Sequence, residues 1–364
     1  MKQKVLLTPG PLTTSKETKE AMLIDMGTRD SEYQSLVCHL QEKLLQLAHA
    51  KKEDYALIFM QGSGTFGVES VLTSVIKPQE KVLIVSNGAY GKRMVQICEQ
   101  ANIKYEELAF PMTEAIDVSL LEEAIARADI THVAYVHCET TAGILNDITS
   151  IQHIIHKHHK VSIVDAMSSF GSMDIDIPAL HIDYLITSAN KCLHGVSGVA
   201  LIYARKAHVN TCAHICKSLS LDLYAQYKTM EEVPGSFRFT SPTHVLRALD
   251  HAVEEGIQRG GFQARHERYA TIQQRISHAM QEAGFHTLVD ASIQSVVITT
   301  YRCPKNFDFN AFYDYFKANG FLLYSGKLPG VDAFRIGNIG ELTDADIDTF
   351  LKLLARWRKQ HETK

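Results

Sequence analysis

At 364 residues the chain is too long for one ordinary core, since domains average about 150 residues, and it reads as two domains with a short extra arm. Apolar residues make up 45% of the chain and charged residues 21%, the balance of a globular protein, which sets aside disordered and fibrous classes. The formal charge of -4, with basic residues scattered along the chain, excludes the basic footprint of a nucleic-acid or anionic-membrane binder and leaves small molecules as the expected substrates.

The N-terminal segment MKQKVLLTPGPLTTS has only a short apolar run before Pro9 and Gly10, so it reads as neither signal peptide nor membrane span. A cytoplasmic protein is expected. Residues 1–14 form the arm, and a first domain runs over 15–245. From Asp54 to about Ala204, short runs rich in Val and Ile (ALIFM, KVLIVS, HVAYVH, VSIVDA, YLITSA, VALIYA) alternate with amphipathic stretches. Such uninterrupted apolar runs suit strands buried on both faces of a mainly parallel sheet. The intervening helices are predicted near Gly64 to Ile76, Gly91 to Asn102, Ser119 to Ala128 and Thr149 to His159. The fold class is therefore α/β, a mainly parallel sheet flanked by helices.

After Pro242 the texture changes. A long helical stretch from Thr243 is interrupted at Gly260 and Gly261 and resumes to about Ala283, and strands follow near SVVITTY and AFRIGNI. This is read as a smaller α+β domain over 246–364, packed on the first with a cleft between them. Thr343 and Asp346 form a capping box for the last helix, whose apolar face carries Leu351, Leu353, Leu354 and Trp357. The seven cysteines contain no CxxC pair. Cys212, His214 and Cys216 lack a second ligand pair, and HIIHKHH reads as the solvated end of a helix, so no metal is expected.

The most informative pair is Asp165, at the end of VSIVDA, and Lys191, just past YLITSA. Both fall at the carboxyl edge of the sheet, where α/β proteins bind ligands. Pyridoxal phosphate needs such a pair: a lysine for its aldehyde and a carboxylate for its ring nitrogen. The amine is useful only when desolvated or near positive charge, because an ordinary lysine is protonated at neutral pH. Ser188 and Asn190 are short polar neighbours that allow close approach of a cofactor to the backbone. Taken alone, Asp165 could equally cap a helix and Lys191 could be an exposed loop lysine.

Other segments add to the pair. QGSGT at Gln61 to Thr65 follows a strand and opens a helix, so Ser63, Gly64 and Thr65 offer N–H groups and hydroxyls to an anion. NGAYGKR places Tyr90 between glycines, where its ring could lie against an aromatic cofactor or simply pack in the core. CETTAG puts Thr140 and Thr141 at another strand end, which ordinary turn formation would also explain. Arg335 in FRIGNIG could grip a carboxylate or phosphonate, or form a surface salt bridge. RFTSPTH offers Thr240 and Ser241 before a proline-initiated helix.

With these segments assembled, the chain resembles the class V (subgroup IV) aminotransferases, and within them the family acting on 2-aminoethylphosphonate and pyruvate. The resemblance runs nearly end to end, through LLTPGPLTTS, QGSGT, VLIVSNGAYGKRM, HCETTAG, IVDAMSSFG, HIDYLITSANKC, SLSLDLYAQ, RFTSPTH and FRIGNIGE. It implies a fold-type I homodimer with a seven-stranded sheet and pyridoxal phosphate held by Lys191. It further implies Asp165 at the ring nitrogen, Tyr90 on the ring, Thr140 at the ring hydroxyl and Ser188 nearby. Ser63, Gly64 and Thr65 would hold the phosphate, joined by Thr240 from the neighbouring subunit, while Arg335, Gly10 and Thr14 would bind substrate. Around the lysine this chain has NKCLHGVSG, so His194 and Ser197 stand where the family pattern has Gln and Pro.

Three rivals follow from the same segments. The first is a class V enzyme using alanine or serine with glyoxylate. The second is a cysteine desulfurase, for which Cys303 is the candidate nucleophile in the C-terminal half, and the third is a catalytically silent binding module.

Overall fold

A computed structural model describes residues 3–324, 328 and 330–361. Its largest element is a seven-stranded sheet in the spatial order Tyr55–Gln61, Val199–Arg205, Tyr184–Ser188, Val161–Asp165, His132–Val136, Val82–Ser86, Tyr105–Ala109. Neighbouring strands run parallel from Tyr184–Ser188 to Tyr105–Ala109, and Val199–Arg205 is antiparallel to both of its neighbours. Helices sit in the crossovers, which is how a right-handed parallel connection covers both faces. The strand interiors are correspondingly dry: Val133, Ala134, Tyr135, Ile163, Val164, Leu185 and Ile186 are all fully buried. Each large apolar side chain so buried is worth roughly 1.5–3 kcal/mol.

Six of the seven strands coincide with the apolar runs, and the four crossover helices are Gly64–Val75, Ala89–Ala101, Val118–Ile125 and Ile148–Lys157. The third of these ends earlier than the pattern suggests. The seventh strand, Tyr105–Ala109, has no apolar run because this edge of the sheet, unlike the buried edge strand Tyr55–Gln61, stays partly exposed, and Glu106 pairs there with Lys81 and Arg127. Three helices of ten residues or more lie outside the stretches predicted as helical: Ser31–Leu47, Leu223–Glu232 and Phe309–Ala318. Each opens on an aspartate, Asp30, Asp222 and Asp308 respectively, whose carboxylate accepts first-turn N–H bonds. Those caps are the signal that could have located them.

The helix from Thr243 does break at Gly260, into Thr243–Gln258 and Gly261–Glu282. Leu246, Leu249, Val253 and Phe262 pack into the core of the seven-stranded sheet, so the helix grouped by sequence with the second domain shares its core with the first. A separate core lies beneath a three-stranded antiparallel sheet of His286–Thr287, Ile298–Arg302 and Ala333–Gly337. It is strongly aromatic, with Phe285 edge-on to Phe334 at 5.5 Å and Phe312 edge-on to Trp357 at 5.4 Å. The capping box of the last helix forms as read: Thr343 N–H donates to Asp346 at 2.9 Å and Asp346 N–H to Thr343 Oγ1 at 3.1 Å.

The N-terminal segment crosses between these two bodies. Val5–Leu7 pairs in parallel with Phe321–Leu323, and Thr13 bridges to Gly340. Gly337 permits this, since a Cβ there would stand 2.3 Å from the Thr8 carbonyl carbon. Pro9 and Gly10 are thereby laid across Lys191. Among the described residues no helix is long and apolar enough to cross a membrane.

Candidate active site

At the carboxyl edge of the large sheet lies a cavity of about 190 Å³ whose lining includes Ser63, Gly64, Thr65, Tyr90, Thr140, Asp165, Ser188 and Lys191. Residues far apart in the chain meet there because parallel strands all release their loops at one edge. A larger cleft of about 450 Å³, beside Arg247, His251 and Arg259, is built from helix faces and has no lysine in its lining.

Lys191 follows Tyr184–Ser188, and its Nζ donates to the Pro9 carbonyl at 2.8 Å. Burial holds its pKa below the ordinary lysine value, so a larger share of the amine is neutral and nucleophilic. Gly10 makes the approach possible. Its φ is +127°, and a Cβ there would lie 2.6 Å from Lys191 Nζ, so any side chain would drive the amine out.

Asp165 is the last residue of its strand and only 4% exposed; it accepts the Met167 N–H at 2.9 Å. Burial, augmented by the charge of Glu139, pushes its pKa up to about 7. A carboxylate so placed is poorly solvated and gains from a cation brought to it, as a protonated ring nitrogen would be. Ser63 is the N-cap of Gly64–Val75 but makes no side-chain cap bond, so the helix start keeps donors for an anion. Gly64 also brings that helix end against the Asp165 loop, since a Cβ would meet Met167 Sδ at 2.4 Å. A buried acid, a desolvated amine and an uncapped helix start in one cavity fit the ring nitrogen, aldehyde and phosphate of pyridoxal phosphate.

Tyr90 is set in place by a residue that motif reading quoted without a role. Glu139 is fully buried and accepts N–H bonds from Tyr90 at 3.2 Å and Gly91 at 3.4 Å. Its other oxygen accepts Thr141 N–H at 3.0 Å and Thr141 Oγ1 at 2.6 Å. One carboxyl group thus ties the start of Ala89–Ala101 to the 139–141 turn, and burial raises its pKa. An acidic residue three positions after the strand His132–Val136, in a segment that also follows a strand end, was the available signal. Arg93, in the same NGAYGKR segment, also lines the cavity and was likewise left without a role.

Not every residue singled out from sequence reaches this cavity. Arg335 is 7% exposed, not a surface ion pair; its Nη1 donates to the Thr140 carbonyl at 2.9 Å and its guanidinium lies 4.4 Å from the Tyr324 ring centroid. It therefore stands behind Thr140, outside the lining described above. Thr14 is outside as well, its carbonyl accepting Lys19 Nζ at 2.9 Å. Thr240 is exposed and outside the lining of its own chain's cavity, next to Phe239, which is 52% exposed. His194 Nε2 meets the Tyr269 hydroxyl at 2.5 Å, and burial, with Arg265, Arg268 and Arg259 nearby, holds its pKa well below the usual histidine value. Ser197 is exposed.

The Aminotransferase class-V family profile matches residues 16–326. The chain belongs to the class V aminotransferases. It is 46% identical over 357 residues, 97% of this chain and 99% of its relative, to a 2-aminoethylphosphonate--pyruvate transaminase of Bacteroides fragilis (strain YCH46). It is 47% identical over 357 residues, again 97% and 99% of the two chains, to a protein of the same name from Phocaeicola vulgatus. Among solved structures it superposes on a ureidoglycine-glyoxylate aminotransferase from Bacillus subtilis with a TM-score of 0.91, covering 100% of this chain and 94% of that one. The identity there is 23%, so this likeness speaks to fold alone. The expected architecture, an α/β protein of fold-type I, is what this class V aminotransferase has. As a class V aminotransferase the chain is an enzyme, and the family implies pyridoxal phosphate.

Proposed function

We propose that this enzyme transfers the amino group of 2-aminoethylphosphonate to pyruvate, giving phosphonoacetaldehyde and L-alanine, within phosphonate degradation. The observation that carries the reading is the convergence of Asp165 and Lys191 in one cavity of a chain 46% identical to transaminases of that name. When bound, pyridoxal phosphate supplies the aldehyde that takes the amino group and a ring that accepts the electron pair left when the adjacent proton departs. Lys191 would hold the aldehyde, and its desolvated amine is the base that would move the proton at the substrate carbon bearing nitrogen. Asp165 meets the ring nitrogen and keeps it protonated. Tyr90 would lie against the ring, Thr140 would meet its hydroxyl with Ser188 close by, and Ser63, Gly64 and Thr65 would receive the phosphate.

Arg335, from its place behind Thr140 at the margin of the cavity, would bind the acidic ends of the substrates in both halves of the cycle, with Gly10 and Thr14 of the N-terminal segment beside it. We further propose a cytoplasmic homodimer in which Thr240 of one copy completes the other's phosphate site. Its exposure beside Phe239 and Leu219, 52% and 73% exposed, supports that role. A desulfurase reading finds no support in Cys303, whose thiol is pushed up to about 12 by burial and by Asp332, far from the thiolate that sulfur transfer needs.

The test is spectroscopic. Adding 2-aminoethylphosphonate to the yellow holoenzyme should bleach its visible band, and pyruvate should restore it with stoichiometric alanine. Turnover of serine or alanine with glyoxylate, with 2-aminoethylphosphonate inert, would establish the rival class V reaction instead.

A further inference from the structure

The roles just assigned leave one cation of the cavity unused. Of the lining side chains only Lys191 and Arg93 are basic, and Lys191 is committed to the aldehyde. Arg93 lies one helical turn after Tyr90 on Ala89–Ala101. Its Nη1 donates to Thr65 Oγ1 at 3.1 Å, and its guanidinium carbon is 4.9 Å from the Tyr90 ring centroid. Its neighbour Lys92 pairs with Glu107 at 2.6 Å, whereas Arg93 has no ion pair among the described residues. A fixed, solvent-facing guanidinium without a carboxylate partner is poised for an anion that comes from outside the chain.

The phosphate of the cofactor is that anion by position. Thr65 belongs to the turn that opens Gly64–Val75, and its hydroxyl, by accepting from Arg93, keeps its own proton for a further acceptor. Backbone N–H groups and two hydroxyls carry only partial charges, so a phosphate near two negative charges would otherwise sit without a full countercharge. Arg335, outside the lining, is bonded to the Thr140 carbonyl instead.

We propose that Arg93 is the cationic anchor of the cofactor-phosphate seat, acting beside Ser63, Gly64 and Thr65 while its stack on Tyr90 holds that ring in register. The inference rests on the pyridoxal-phosphate reading above. It adds a charged residue that ties two segments of the cavity, 61–65 and the start of Ala89–Ala101, to one anion.

The experiment is to strip the full chain of cofactor and titrate it with pyridoxal phosphate and, separately, with pyridoxal, which lacks the phosphate, for wild type, Arg93→Ala and Arg93→Lys. Loss of a hydrogen-bonded ionic contact should weaken pyridoxal phosphate about ten- to hundred-fold in Arg93→Ala and change pyridoxal by less than about two-fold. Arg93→Lys should fall between. Inorganic phosphate should raise the melting temperature of the stripped wild type more than that of Arg93→Ala. Equal affinity of wild type and Arg93→Ala for pyridoxal phosphate would overturn the proposal, as would an equal loss for both ligands. So would intact cofactor affinity with a raised KM for 2-aminoethylphosphonate alone, which would assign Arg93 to the substrate. A wild type that binds neither ligand would sink the functional reading itself, a different failure.

Discussion

The two bodies of this molecule place their buried polar groups in opposite ways. At the carboxyl edge of the seven-stranded sheet, Asp165, Glu139, Thr140 and Ser188 are all buried within one neighbourhood. The core under the three-stranded sheet is instead built mainly of rings, Phe285, Phe312, Phe316, Phe334, Phe350 and Trp357. The small sheet's Arg335 instead points toward the large one, to the Thr140 carbonyl. The difference follows from strand direction. Parallel strands release every loop at the same edge, so polar groups distant in sequence converge; antiparallel strands alternate their ends and leave a face to be packed. One body is arranged for chemistry and the other for a rigid backing.

That contrast can be broken by substitution. Lys191→Ala should abolish the yellow absorbance of bound cofactor and cut transamination at least about a thousand-fold while the protein melts as wild type does. Retained colour and activity would refute the assignment. Phe312→Ala should do the reverse. It is fully buried against Phe285, Phe334 and Trp357, so its removal should cost about 3–5 kcal/mol in urea unfolding, with cofactor affinity of the folded fraction unchanged. A selective loss of cofactor affinity without lost stability would mean the backing is part of the site.

Asp165→Asn sharpens the comparison through pH. In the cofactor-free protein the folded carboxyl titrates near 7 against 3.8 for an ordinary one, so the folded state binds the extra proton. Stability from this group is therefore full below about pH 4 and lost as pH rises through 7. The gap between about 7 and 3.8 is worth up to about 4 kcal/mol, so cofactor-free Asp165→Asn should be the more stable protein at pH 8 and no more stable at pH 4. Chemical denaturation at the two pH values decides it; parallel curves would mean the carboxyl is not desolvated. The smallest effect is expected where the two bodies meet. Arg335→Ala should raise KM for both 2-aminoethylphosphonate and pyruvate about ten- to hundred-fold, because one guanidinium serves both half-reactions. An unchanged KM for either substrate would end the shared role.

Much of this was legible in residue order. Uninterrupted Val- and Ile-rich runs determined the parallel sheet, since only strands buried on both faces tolerate them, and the residues just beyond those runs, Asp165 and Lys191 above all, fell at one edge by topology. The capping box at Thr343 and the break at Gly260 were equally local, because a cap or a left-handed glycine needs only its immediate neighbours. Three-dimensional packing alone decided the rest. The edge strand Tyr105–Ala109 carries no apolar run because none of its residues is fully buried. Whether Arg335 faced water or Thr140, how Glu139 holds Tyr90, and that the Pro9 carbonyl and Gly10 close over Lys191 all depend on contacts between residues tens to hundreds of positions apart. Hydrogen bonds and close approaches of that kind leave no periodic trace in a sequence, and they set the burial that moves the pKa values of Asp165 and Lys191.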